Sequence, residues 1–333
     1  MIDREVIVVG GGPAGAAAAW ELTRSGVDCL VLDRETFPRE KLCAGWITPD
    51  VLRDLEFQPE DYPHRFLTFE RLNIALKGLK VALRSPQHSI RRYEFDAWLL
   101  ERSGAEYRQH NVRRIAAEAG SGYVIDDTFR CRYLVGAGGT RCPVYRELFR
   151  ASHPRPSCLQ AVTLELEYPC DWQDPDCHLW FFSNGLPGYA WYVPKADGYL
   201  NVGVGGMAQK LKDRGDDIRR HWQHLVDRLL DEELVQTAPG APGGYSYFLR
   251  ARRDLRTRSD VGRLGNAFVV GDAAGLATRD MCEGIGPAVR TGLRAARAIT
   301  RDQRYDLDGV AAYTSGNALV RMGLEAMIAG RRA

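Results

Sequence analysis

The apolar run Val6-Ile-Val-Val breaks into Gly10-Gly-Gly12-Pro-Ala-Gly15, and a second apolar run then ends on an acid at Val31-Leu-Asp33. Strand, glycine turn, helix start and second strand in this order are the pattern of a βαβ unit built to hold a dinucleotide. Gly10 permits the tight turn, Gly12 lets backbone N–H groups approach a pyrophosphate, and Gly15 lets the helix lie close against the strand. Pro13 and Ala14 open that helix, whose N-terminus carries about half a positive charge where phosphates would sit. Asp33, 18 residues after Gly15, is placed to accept hydrogen bonds from ribose hydroxyls, with Arg34 beside it.

Which dinucleotide is answered far downstream. Asn266-Ala-Phe-Val-Val-Gly271-Asp272 is another apolar strand ending in Gly-Asp, and Cys282-Glu-Gly284-Ile285-Gly286 opens a helix rich in small residues. A nicotinamide enzyme has no evident use for a second strand-Gly-Asp-helix. FAD does, because its flavin half extends beyond the first βαβ unit. Asp272 is then the acceptor for the ribityl chain, and the helix at Gly284 aims N–H groups at the pyrimidine edge of the flavin. An ordinary strand-loop-helix with an incidental Asp is the plainer reading of this segment alone.

Composition sets the class. A chain of 333 residues with 45% apolar and 26% charged residues buries a sizeable core and usually makes two domains. A net charge of +2 argues against a nucleic-acid partner. No stretch reaches the roughly 18 apolar residues needed to span a bilayer. The first strand follows Met1 so closely that no secretory signal is expected, and eight cysteines without repeating spacing suggest reduced thiols in a cytoplasm. Cys170 and Cys177-His178 fit no common metal spacing, and no metal is expected.

Periodicity predicts an α/β (α+β) protein: a Rossmann-like FAD-binding domain with a discontinuous second domain on an antiparallel β-sheet. The cofactor domain is expected over 1–65, 90–150 and 260–303, the substrate domain over 66–89 and 151–259, and a C-terminal helix and tail over 304–333. Phe69–Leu76 and Leu79–Leu83 read as an antiparallel pair around Lys77-Gly78, and Tyr93–Gly104 as a helix with Phe95, Trp98 and Leu99 on one face. Val112–Ile115, Tyr123–Ile125 and Phe129–Val135 alternate like strands, the 158–206 stretch reads as successive strands, and Asp217–Glu233 as an amphipathic helix. Ser246–Arg253 reads as a short strand.

At this point a family resemblance enters. Gly10–Gly15 with Asp33, Lys41-Leu-Cys43-Ala44-Gly45, Tyr189-Ala-Trp191-Tyr-Val-Pro194-Lys195 and Gly271-Asp272 with Gly284-Ile285 resemble the geranylgeranyl reductase family. Those are FAD-dependent oxidoreductases of p-hydroxybenzoate-hydroxylase, or glutathione-reductase-type, topology. Arg92 stands where the family's Arg-x-x-Phe-Asp-x-x-Leu element contacts FAD. The resemblance also places Lys41, Cys43, Ala44, Gly45 and Val112 on the cofactor, and Cys43, Tyr189 and Trp191 in the catalytic region. Its reaction is saturation of isolated C=C bonds in polyprenyl chains: a hydride from reduced flavin, a proton on the other carbon, and apolar walls for a substrate without charge.

Several roles stay open at this level. Trp180, Phe181, Phe182, Tyr189, Trp191 and Tyr192 are substrate-wall candidates or ordinary sheet core; Tyr189 and Trp191 share strand parity and face one side together. Cys43 is a thiol beside the flavin ring, a redox partner for Cys282, or a small buried hydrophobe. Glu283 is a proton donor near the ring or a cap for the helix start. Lys195, Arg39 and Lys41 hold a diphosphate head or are solvated charges.

Two departures from the patterns matter. FAD hydroxylases that use NADPH carry Gly-Ala-Asp-Gly-x-x-Ser, whereas this chain has Gly136-Ala-Gly138-Gly139-Thr-Arg-Cys142, so a separate electron donor is an alternative to NAD(P)H. The C-terminus is short beside many family members, so a substrate-closing segment there is expected to be reduced. Other readings of the chain are an FAD monooxygenase or halogenase of an aromatic or polyketide substrate, or an FAD electron carrier. A lipid substrate also implies peripheral membrane contact, for which the sequence offers the basic residues Arg321, Arg331 and Arg332.

Overall fold

The structure, a computed structural model, describes residues 1–76, 79–118, 120, 122–251, 262–314 and 321. These fall into two compact units, one comprising 1–39, 93–156 and the described part of 247–321, the other 40–92 and 157–246.

The first unit is built on a sheet whose parallel strands run in the order Ala267–Val269, Phe129–Gly136, Ile2–Val9, Cys29–Asp33, Glu106–Gln109. Arg263–Leu264 adds an antiparallel edge, and Ile115–Ala117 with Tyr123–Ile125 forms an antiparallel extension on Phe129–Gly136. The central strand is apolar on both sides because both faces are covered. Val6 and Val8 join one buried cluster with Ala14, Ala18 and Leu22, while Ile7 and Val9 join another with Leu30, Leu32 and Phe149. The Ala-rich helix Pro13–Arg24 lies on the first of these faces beside the helix Ile285–Thr300. Gly292 brings them together, since a Cβ there would fall 2.2 Å from the Ala14 carbonyl oxygen. Glu21, buried between them, accepts from Arg297 at 3.0 Å and Arg301 at 3.3 Å.

The second unit is a sheet ordered Gly243–Phe248, Gln160–Pro169, Tyr199–Met207, Gly188–Lys195, Cys177–Phe181, Leu67–Leu76, Leu79–Ser89, Trp46–Ile47. It is mostly antiparallel, but Cys177–Phe181 runs parallel to Leu67–Leu76, a crossover that alternation alone does not reveal. One face packs Trp180, Ala190, Tyr192, Val202 and Val204 against Trp222, Leu225 and Leu229 of the helix Ile218–Asp231. Asp217 caps that helix by accepting from the Arg219 N–H at 2.9 Å.

Several boundaries differ from those expected. Residues 40–65 go with the second unit because Trp46 and Ile47 pair with Ser89 and His88. Leu249 bridges to Ala277, so the chain from 247 goes with the first unit. Val112–Ile115 is not a strand; Glu106–Gln109 and Ile115–Ala117 flank it. The predicted strand Ser246–Arg253 is Gly243–Phe248, and Arg253 lies outside the described residues. The turn Lys77-Gly78 and the tail residues Arg331 and Arg332 also lie outside them, as does most of the predicted C-terminal helix. Residues 301–314 form no helix; Tyr305 anchors that stretch by donating to the Val269 carbonyl at 3.0 Å. No described helix is long and apolar enough to cross a membrane.

Candidate functional site

In the first unit the chain turns at Gly10, whose φ of 114° is a backbone state that favours glycine. Its N–H bonds the Leu32 carbonyl at 2.7 Å, and a Cβ there would meet the Ala137 carbonyl group at 2.5 Å. Gly15 is still tighter, since its Cβ would lie 1.8 Å from the Gly10 oxygen. Asp33 ends the neighbouring strand and accepts from Gly11 N–H at 2.7 Å through Oδ2 and from Glu35 N–H at 3.0 Å through Oδ1. Each oxygen keeps a further lone pair for an outside donor. Arg34 points to solvent and pairs with Glu35.

Gly12 caps the helix Pro13–Arg24 with no side chain bonding its first N–H groups and no acid in its first turn. That leaves the positive end of the helix uncompensated from within. Beside it stands Arg39, held by a 3.0 Å bond from Nη2 to Oδ2 of Asp96, which is fully buried. A Cβ on Gly12 would lie 3.3 Å from that Nη2. The other terminal nitrogen, Nη1, is buried and has no hydrogen-bond partner.

The second corner lies against the first. At Gly271, with φ 56°, a Cβ would sit 3.4 Å from the Ala14 Cβ and 3.1 Å from the Ala288 Cβ. Thr291 of the helix Ile285–Thr300 accepts from the Gly271 N–H at 2.9 Å, fixing the corner to the helix. Asp272 Oδ1 would be 3.4 Å from a Cβ on Gly284, so its carboxylate lies at the start of that helix. Glu283 accepts from the Gly286 N–H, which is the capping role; its carboxylate is engaged with the backbone. Ile285, Gly286 and Ala288 follow as a buried first turn.

FAD fits this arrangement on the structure's own terms: glycines whose absent Cβ atoms leave a backbone cradle, a helix end without an internal cap, and a buried guanidinium nitrogen without a partner. Gly10, Gly12, Pro13, Ala14, Gly15 and Arg39 would hold the pyrophosphate, Asp33 the ribose, and Asp272 with Gly284, Ile285 and Gly286 the flavin half. Arg155 is a residue the sequence reading passed over. It donates to the carbonyls of Asp272 at 3.1 Å and Thr140 at 2.8 Å, tying the second corner to the 137–140 turn. Val112, expected on the cofactor, has its side chain buried in the apolar cluster with Val9 and Leu32, which leaves only its backbone for a ligand. Arg92 is buried at the start of the helix Arg92–Arg102.

Cys282 is half-buried, and desolvation pushes its thiol up to about 12, which disfavours the thiolate at neutral pH.

In the second unit, the sheet face opposite the helix carries the remaining candidates. Strand pairing puts Glu165, Gly203, Trp191, Leu179, Ile74 and Val81 in one row. The adjacent row on the same face is Thr163, Gly205, Tyr189, Phe181, Leu76 and Leu79. The segment Lys41–Gly45 lies against the polar end of this face. Asn201 accepts from Trp191 Nε1 at 2.7 Å and donates to the Cys43 carbonyl at 3.3 Å. The Cys43 Sγ accepts from Gly45 N–H at 3.4 Å, and Lys41 Nζ sits 3.1 Å from the centre of the Tyr245 ring. Ala44 is half-buried between them.

Lys195 corrects the sequence reading, which made it a diphosphate ligand or a solvated charge. It is fully buried and spends its donors on the Ile90 carbonyl at 2.5 Å and Glu167 at 3.0 Å. A Cβ on Gly45 would lie 2.2 Å from its Nζ. Lys195 therefore fills the space a side chain at position 45 would need, and it bonds the Ile90 carbonyl beside the Ile90 N–H that donates to the Gly45 carbonyl at 2.8 Å. The aromatic candidates divide by parity: Trp180 and Tyr192 are core against the helix, while Phe181, Tyr189 and Trp191 share the other face. His178 is engaged with Asp174 at 2.8 Å.

A βαβ cradle plus a second Gly-Asp corner on one parallel sheet, with a separate mostly antiparallel sheet, defines an FAD-dependent oxidoreductase of p-hydroxybenzoate-hydroxylase-like fold. Residues 3–56 match the model of the FAD binding domain family. The menaquinone reductase of Mycobacterium tuberculosis is 29% identical over 322 residues, 89% of this chain and 76% of that protein. Digeranylgeranylglycerophospholipid reductase 1 of Methanopyrus kandleri is 31% identical over 264 residues, 72% of this chain and 66% of that protein. Among solved structures, a geranylgeranyl bacteriochlorophyll reductase-like protein from Thermoplasma acidophilum superposes with a TM-score of 0.75 at 18% identity, covering 98% of this chain and 83% of the other. The chain belongs to the geranylgeranyl reductase family of FAD-dependent oxidoreductases.

Proposed function

We propose that the protein saturates carbon–carbon double bonds of a long isoprenoid chain. Bound FAD, once reduced, supplies a hydride. The observation that carries the reading is the division of one sheet face. Outward from Trp191 and Tyr189 it is apolar through Leu179, Phe181, Ile74 and Leu76, and it ends at the exposed side chains of Leu79, Val81 and Leu83. From Glu165 to Val81 this face crosses six paired strands, roughly 24 Å at the usual strand spacing. Trp191, Leu179 and Phe181 are already covered, so the open part of the face is Ile74, Leu76 and the exposed edge, where an uncharged chain without hydrogen-bonding groups is retained by burial alone. The relatives named above act, by their names, on menaquinone and on digeranylgeranylglycerophospholipid.

Tyr189 and Trp191 flank the reacting bond in this reading, with Cys43 held near them by Asn201. The electron donor is a separate protein or small reductant. Gly138 replaces the acid of the pyridine-nucleotide signature, and Cys142 replaces its serine with a thiol that is buried and pushed up by desolvation. Exposed Leu79, Val81 and Leu83 give a site for peripheral membrane contact.

The test is to reduce the purified flavoprotein anaerobically and offer a polyprenyl lipid, an aromatic acid or oxygen separately. Reoxidation by the lipid, with the saturated product identified by mass, is the expected result. Rapid reoxidation by oxygen through a hydroperoxide absorbance, with the lipid inert, would overturn it in favour of an oxygenase. No reoxidation by any of the three would leave an electron carrier.

A further inference from the structure

Saturating an alkene takes a proton as well as a hydride, and the buried face of the second sheet holds an acid with one carboxyl oxygen unpartnered. Glu165 is 3% exposed in the middle of the strand Gln160–Pro169. Its Oε2 is buried without a hydrogen-bond partner, while the rest of the carboxyl is engaged by a long 3.4 Å bond from the Thr163 hydroxyl and by the Asn201 side chain. An ionised carboxylate left this way is costly, so the group favours its neutral, proton-bearing form. Desolvation raises its pKa, opposed by the charges of Lys41 and Lys195.

Position gives that proton a use. Glu165, Gly203 and Trp191 stand directly opposite one another on three adjacent strands. Gly203 has no side chain between them: a Cβ there would lie 2.2 Å from the Trp191 ring and 2.8 Å from the Glu165 Cβ. The indole therefore lies across the glycine towards the acid. The groups facing Glu165 are Lys41 from the loop, Lys195 from the strand Gly188–Lys195, Asn201 from Tyr199–Met207, and Thr163 and Glu167 from its own strand. Lys195 is already taken by Glu167 and the Ile90 carbonyl, and Lys41 by the Tyr245 ring and the Leu42 carbonyl at 3.1 Å.

We propose that Glu165 is the acid that delivers the proton in alkene saturation. The inference rests on the isoprenoid reading above. The π bond is replaced by two C–H bonds. The hydride of the reduced flavin accounts for one of them and for both electrons. The Glu165 carboxyl proton makes the other, and the carboxylate left behind regains its proton from solvent.

The experiment compares wild type with Glu165→Gln and Glu165→Asp as FAD-loaded proteins. In single-turnover reoxidation by a polyprenyl lipid, Glu165→Gln is expected to slow by about a hundredfold or more and to lose the wild type's decline towards high pH. Glu165→Asp keeps an acid and is expected to keep that decline. Flavin reduction and FAD content stay unchanged. A second readout needs no turnover. An acid whose folded pKa is raised holds its proton longer when folded, so stability falls as pH rises from the ordinary glutamate range through the raised value. The melting temperature of Glu165→Gln is therefore expected to gain on wild type as pH rises through that window. Equal reoxidation rates at every pH, or melting curves that run parallel with pH, overturn the role of Glu165. A reduced wild type that the lipid never reoxidises overturns the isoprenoid reading instead, and the melting comparison still reports whether Glu165 holds its proton.

Discussion

Trp191 and Asn201 are locked together across adjacent strands, the indole N–H donating to the amide oxygen at 2.7 Å, and the same amide donates to the Cys43 carbonyl at 3.3 Å. One side chain thus orients both the aromatic wall and the loop that carries the family cysteine. Replacing Asn201 by Leu leaves a buried indole N–H unsatisfied and frees the loop, at a cost of about 1–3 kcal/mol. The expected outcome is a lower melting temperature with altered tryptophan fluorescence, and a fall in kcat greater than the change in FAD affinity.

Arg39 offers a test of the cofactor cradle that does not depend on turnover. Arg39→Ala removes the unpartnered guanidinium nitrogen beside Gly12 together with the 3.0 Å bond to Asp96. Loss of a charge-assisted hydrogen bond is worth about 1.5–3 kcal/mol, so FAD affinity is expected to fall roughly 10- to 100-fold. Flavin release followed by fluorescence measures it. Unchanged FAD affinity would show that Arg39 serves Asp96 alone.

Lys195 is expected to behave as a structural cation. Lys195→Met takes the buried donor from the Ile90 carbonyl and from Glu167, which keeps Arg91 at 3.0 Å, so the cost is expected at about 1–3 kcal/mol. Urea denaturation checks this. A diphosphate-binding role would instead raise KM for a diphosphate substrate while leaving stability intact.

The exposed apolar edge separates membrane delivery from chemistry. Val81→Glu with Leu83→Glu is expected to raise KM for a polyprenyl substrate presented in vesicles and to lower cosedimentation with them. Turnover of a short, detergent-soluble prenyl substrate stays within about twofold if the positions serve only as the surface entry, since exposed substitutions rarely disturb stability. Equal loss with both substrates would move the role of this edge inward.

The two glycine-acid corners were legible in the sequence because glycine is forced there by backbone proximity, a constraint that one-dimensional spacing records. At Gly10 and Gly15 the absent Cβ atoms are demanded by neighbouring carbonyls. The parity of Tyr189 and Trp191 was legible for the same reason: a strand has a period of two. Glu165 was not, because its significance comes from pairing across Gly203 with a residue 26 positions away, and no local pattern encodes register. Arg155 and Lys195 were hidden too; each looks like a surface base until the fold half-buries Arg155 against two carbonyls and fully buries Lys195. The parallel pairing of Cys177–Phe181 with Leu67–Leu76 joins segments about 100 residues apart, beyond the reach of alternation. Residues 40–65 were expected in the cofactor domain, where the resemblance places Lys41–Gly45, whereas the two-residue strand Trp46–Ile47 pairs them into the second unit's sheet.

The close crossing at Gly292 has a consequence for how the protein is made. Ala14, near the first turn, finds its helical neighbour only when residue 292 has been synthesised, and the parallel sheet likewise waits for the strand Ala267–Val269. A nascent chain leaving the ribosome therefore carries its N-terminal βαβ segment half-covered for most of translation, with apolar Ala17, Ala18 and Leu22 lacking their final cover. Such long-range closure is slow and leaves sticky surface in the interim. Chaperone engagement early in synthesis, and poor yield of fragments ending before residue 292, are the corollary in the cell.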